Sequence, residues 1–80
     1  MASTTRKNIT ASWQKISDGD CTVQSLVHDT QFYISVGATT PKGEEYIILK
    51  LTEATTFAYS SPVWCRVADA SASQPIVVIA

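Results

Sequence analysis

The stretch Gln31-Phe32-Tyr33-Ile34-Ser35-Val36 decides the fold. Phe32, Ile34 and Val36 fall at alternate positions, and Tyr33 and Ser35 lie between them. A period of two places the first set on one face of a β-strand and the second on the other. The same pattern recurs in Val63-Trp64-Cys65-Arg66-Val67, where Val63, Cys65 and Val67 alternate against Trp64 and Arg66.

Working outward from these runs, short apolar segments alternate with turn residues. Strands are expected over Trp13–Ser17, Cys21–His28, Gln31–Val36, Tyr46–Leu51, Thr56–Tyr59, Val63–Ala68 and Pro75–Ile79. Cys21, Val23, Ser25 and Val27 share a face of the second. Asp18-Gly19-Asp20 carries the Asp-Gly signal of a tight hairpin. Pro41 and Gly43 mark Gly37–Glu45 as a loop, and Asp69–Gln74 is a loop of small residues. The reading is an all-β fold, a small antiparallel β-sandwich or barrel of about seven short strands.

Composition agrees. Seven Val, seven Ile and ten Thr stand against three Leu, and β-branched side chains fit a pleated sheet better than a helix. Eighty residues make one small domain, read as a flexible arm over 1–10 and a single β domain over 11–80. Deleting Met1–Asn8 is expected to abolish attachment to a partner and to leave folding unchanged. A domain this size is marginal alone, so a disulfide, a metal or neighbouring subunits are expected to help.

Tyr46-Ile47-Ile48-Leu49 and Ile76-Val77-Val78-Ile79 are apolar on both faces. One face fills a core, and the other needs a cover, which favours a homo-oligomer, with a trimer preferred. Tyr46, Ile48, Val77 and Ile79 are the candidate interface residues. A last strand buried centrally in a sandwich is the alternative explanation for the second run.

Charge and motifs narrow the function classes. The net charge of −1 gives no clustered basic surface, so nucleic acid is not the expected partner. No stretch reaches the roughly 20 apolar residues of a membrane helix, and no apolar run follows the polar start as in a signal peptide. Residence in a cytosol is expected, and a particle assembled in the cytosol and released by lysis also fits. His28, beside Asp29 and near Ser25, has no nucleophile-elbow pattern around it and reads as a turn histidine. Asp18 and Asp20 lack the further acids of a calcium loop, and Glu44, Glu45 and Glu53 read as solvated loop charges. No cofactor, metal or catalytic residue is expected, so the chain reads as a non-enzyme. Cys21 and Cys65 read as two buried free thiols. A disulfide between them is the alternative.

Aromatics offer a further route to binding. Trp13, Tyr33, Tyr46, Tyr59 and Trp64 all fall on or near expected strands, and of these Trp13, Tyr46 and Trp64 are the candidates for a carbohydrate- or receptor-binding surface. Filling a core or a subunit interface is the other use of such side chains. Phe32 and Phe57 are expected to point away from their neighbours Tyr33 and Ala58.

The run Trp13-Gln14-Lys15-Ile16-Ser17-Asp18-Gly19, the loop Val36-Gly37-Ala38-Thr39-Thr40-Pro41 and the strand Val63-Trp64-Cys65-Arg66 resemble small all-β modules of tailed-bacteriophage virions. The patterns are W-x-x-I-S-D-G, V-G-x-x-x-P and V-W-x-R. The resemblance covers most of the chain from Trp13 onward. It implies a non-enzymatic virion structural protein of the capsid-decoration, head-fibre or tail-accessory type. The implied partners are other virion proteins, and host surface glycan under the binding-module alternative. Arg6 and Lys7 on the arm are the candidate virion-attachment residues. The cysteines are not part of the pattern.

Overall fold

The computed structural model describes residues 3–27, 30–42, 46–68 and 73–80. These form a two-layer antiparallel β-sandwich, and among them every regular element is a strand. The strands are β1 (Thr4–Ile9), β2 (Gln14–Ser17), β3 (Cys21–Ser25), β4 (Phe32–Val36), β5 (Ile47–Leu49), β6 (Thr55–Phe57), β7 (Val63–Val67) and β8 (Gln74–Ile79). One sheet has the order β1-β8-β3-β6 and the other β2-β7-β4-β5. Alternation delivers one face of each strand to the space between the sheets. Val23, Ile76 and Val78 enter it from the first sheet, and Phe32, Ile34, Val63, Cys65 and Val67 from the second. The shortest Cα dimension, 16 Å, fits two sheets stacked about 10 Å apart.

The stretch expected to be an arm is a strand from Thr4 onward. β1 pairs with β8 through six residues, from Thr4 opposite Ile79 to Ile9 opposite Gln74. Ser3 and Ala80 exchange backbone hydrogen bonds of 2.8 and 3.1 Å, which ties the two ends together. Ile9 is fully buried. The sequence hid this because Thr4 to Asn8 has a polar side chain at every position, and only Ile9 marks the inward face. An edge strand half exposed to water needs no more than that.

The Asp18-Gly19 turn also differs from expectation. It joins β2 to β3, which lie in different sheets, so it is a crossover and not a hairpin. The Ser17 hydroxyl closes it, accepting from Gly19 N at 3.1 Å and donating to Gly19 O at 2.8 Å. Among the described strands, β4 and β5 are the one sequential pair that shares a sheet. The chain otherwise shuttles between layers.

Two strands stop earlier than the apolar pattern suggests. β3 ends at Ser25, whose hydroxyl accepts from Val27 N at 3.1 Å and donates to Val27 O at 2.8 Å. Its backbone N–H donates to Leu51 O at 2.7 Å. β5 ends at Leu49. Leu51 has φ of 56°, a left-handed conformation that costs a bulky residue about 1–2 kcal/mol. Burial of its side chain in the core offsets that cost.

Both cysteines are buried and unbonded. Phe32 and Phe57 are buried, while Tyr33 is half-buried and Ala58 exposed, as the alternation predicts. His28, Asp29, Gly43, Glu44, Glu45 and Asp69 lie outside the described residues, so the turn and loop readings made for them do too.

Candidate functional site

The outer face of the β2-β7-β4-β5 sheet carries the densest chemistry. Antiparallel register sets Tyr33 on β4 opposite Arg66 on β7 and opposite Ile48 on β5. All three occupy outward positions because Phe32, Ile34, Cys65 and Val67 take the inward ones. Tyr46, just before β5, stacks on Tyr33 with centroids 4.0 Å apart and planes inclined by 16°. Trp13, just before β2, meets Tyr46 at 6.3 Å and 52°.

Arg66 is the hub of this group. Its guanidinium carbon lies 4.3 Å from the Tyr33 ring centre, 5.3 Å from Trp13 and 5.6 Å from Tyr46. A planar cation is attracted to aromatic faces, and three rings together hold it in one place. Among the described residues the one ion pair is Lys15 with Asp18 at 2.8 Å, so no carboxylate there neutralises Arg66. Trp64 shares the outward face two residues before Arg66, but its indole N–H donates to Gly37 O at 2.9 Å. That bond anchors the V-G loop to the V-W strand and gives Trp64 a positioning role.

A second feature opens at one side of the sandwich. A groove of about 350 Å³ is lined by Ile34, Ser35, Val36, Tyr46, Ile47, Phe57 and Tyr59. The residues come from β4, β5, β6 and the segment after β6, where the sheets' last strands part. Ile47 is 54% exposed, Tyr59 49% and Val36 39%. On the other face of β5, Ile48 is 52% exposed.

The residues singled out from sequence fall into separate places. Trp13 and Tyr46 converge, and Trp64 lies on the same face with its tip committed. Tyr46 and Ile48 belong to this sheet, whereas Val77 and Ile79 face outward from the opposite sheet, Val77 between Arg6 and Gln24 and Ile79 between Thr4 and Thr22. The four interface candidates therefore do not form one patch. Arg6 and Lys7 are also divided. They are consecutive on a strand and point to opposite faces, with Lys7 lining a shallow cleft beside Asp18 and Asp20. Adjacent basic residues on a strand cannot form one basic surface.

Sequence reading counted Tyr33 and Tyr59 among the strand aromatics without selecting them, and missed Arg66 as a site residue and Ile47 as a groove residue. Tyr33 and Arg66 were visible as outward positions on their strands. Only the pairing register brings them together.

The thiols offer no reactive centre. Burial pushes Cys65 from 9.0 up to about 12. Burial also raises Cys21, against an opposing hydrogen bond with Ser17. Among the described residues no group of three His, Cys, Asp or Glu side chains is placed to hold a metal ion. Comparison with family models, curated proteins and solved structures gives no match.

Proposed function

We propose that this chain is a non-enzymatic structural subunit of a tailed-bacteriophage particle, working as a homo-oligomer assembled in the host cytoplasm. A capsid-decoration or head-fibre role, with a trimeric assembly, fits this reading best. The observation that carries it is the β5 edge, unpaired among the described residues, with Ile47 and Ile48 each about half exposed on opposite faces. A free strand edge without charge is a template for another chain. The β1 edge contrasts with it, since Arg6 and Lys7 lie within that strand. The phage-like motifs add support. Their residues close the Ser17–Gly19 turn, join Trp64 to Gly37 and bring Trp13 to Arg66.

Sedimentation velocity at micromolar concentration tests the assembly, and mass spectrometry of purified particles tests the location. The expected result is an oligomer for the natural chain and a folded monomer for Ile47→Lys/Ile48→Lys. A natural chain that stays monomeric, or is missing from particles, refutes the reading. A second reading, a glycan-binding module on the particle surface, is favoured by the Trp13–Tyr46–Arg66 cluster.

A further inference from the structure

We infer that the Trp13–Tyr33–Tyr46–Arg66 face binds a carboxylated saccharide, a uronate- or sialate-type sugar. The Arg66 guanidinium clamps the sugar carboxylate, and the aromatic rings support the pyranose. This rests on the glycan-binding reading.

Arg66 supplies the first part of the argument. Three rings from three separate segments fix its guanidinium at 4.3–5.6 Å. A guanidinium presents five N–H donors in a planar fork that matches a carboxylate. Among the described residues no carboxylate or other hydrogen-bond acceptor engages that fork. The side chain is only half-buried, so its donors reach solvent. A cation positioned by aromatic contacts, with no acceptor for its donors among the described residues, is complementary to an anion from outside. The ordering entropy of the long Arg side chain is already met in the free protein, which favours binding.

The ring geometry supplies the second part. The half-buried rings of Trp13, Tyr33 and Tyr46 cluster on the outside of the sheet, Tyr33 and Tyr46 stacked on each other and Trp13 tilted against Tyr46. The parts of these rings that reach solvent give an apolar rim beside the Arg66 fork, against which the C–H groups of a pyranose can pack. This arrangement suits an extended acidic peptide less well. A peptide draws affinity from backbone hydrogen bonds at a strand edge. Here β4 and β7, which carry Tyr33 and Arg66, are interior strands paired on both sides, and the β5 edge lies two strands away from Arg66. Their backbone groups are spent in the ladders, so side-chain recognition is what remains.

The test uses the full chain and four probes: oligogalacturonate, oligosialate, the carboxyl-reduced form of the first, and poly-glutamate. Titration calorimetry and Trp fluorescence read binding. The expected result is saturable binding of at least one acidic saccharide, weakened about tenfold or more on carboxyl reduction. Arg66→Gln weakens it to a similar extent, and Arg66→Lys loses less because the charge remains. Trp13→Ala weakens it about fivefold. Carboxyl reduction changes only the ligand, so this arm holds even where a variant is poorly folded. Equal binding of the reduced and acidic saccharides overturns the carboxylate clamp and leaves a glycan-binding module. No binding of any saccharide at millimolar concentration overturns both. Poly-glutamate binding as tightly as the acidic saccharides also overturns the inference, in favour of an acidic protein partner.

Discussion

Ile9→Ala is the sharpest test of the fold, because Ile9 sits at the end of a segment that sequence alone reads as an arm. Its side chain is fully buried, in contact with the core that β1 and β8 help to close. Truncating a buried Ile costs about 2–5 kcal/mol, through lost transfer energy and the cavity left behind. A domain of 80 residues has about 4–12 kcal/mol of total stability. A loss near 3 kcal/mol is thus a large fraction of the whole. At about 4–8 °C per kcal/mol, it lowers Tm by about 12–24 °C. Arg6→Ala on the same strand is the control. Arg6 is exposed, and such surface changes stay within about 0.5 kcal/mol. Melting both variants by circular dichroism checks the difference. A Tm for Ile9→Ala within about 4 °C of Arg6→Ala would mean that β1 is not part of the folded unit. Deletion of residues 1–9 follows the same logic. It removes a whole pairing with β8 and should leave a chain that melts below room temperature or does not fold.

Three other outcomes are expected. Cys65 titrates near 12 when folded and near 9.0 otherwise, so between those values the unfolded chain releases a proton that the folded chain keeps. Its contribution is full below about pH 9 and falls as pH rises, by up to about 1.4 kcal/mol per unit, which urea titrations at pH 8 and pH 10 would show. The same burial makes both thiols slow toward a disulfide reagent at pH 8 without reductant, and fast in urea; two rapid thiols in the folded chain would contradict it. Trp64→Phe removes the 2.9 Å bond to Gly37 and should cost about 0.5–1.5 kcal/mol in a urea melt, with no change in the oligomer.

Most of the strands were legible because burial imposes a period of two. Of the six residues that the alternation in Phe32–Val36 and Val63–Val67 sets on the inward face, the structure buries Phe32, Ile34, Val63, Cys65 and Val67, and leaves Val36 exposed at the strand end. The pattern fails where burial is one-sided and brief. Thr4–Ile9 shows a single core residue, and its strand character comes from hydrogen bonds to β8, which composition does not record. It fails again at Leu51, where an apolar residue enters the core through a left-handed bend and not as part of a strand. Half of the candidate site was legible. Trp13 and Tyr46 were chosen as candidate binding aromatics, whereas Tyr33 was one strand aromatic among several and Arg66 only an outward position.

The amino-acid order by itself determined the class of the fold, most of its strands and the inward side of each. Those properties follow from local alternation and from the stiffness of Val, Ile and Thr. Tertiary structure alone decided which strands are neighbours. The pairing of residues 4–9 with 74–79, the crossing at Asp18-Gly19 and the meeting of Tyr33 with Arg66 depend on contacts distant in sequence. A side chain's face is set by its nearest neighbours along the chain, but its partners across a sheet are set by register. For that reason the aromatic cradle around Arg66 appears only when β4, β7 and the segments before β2 and β5 are assembled.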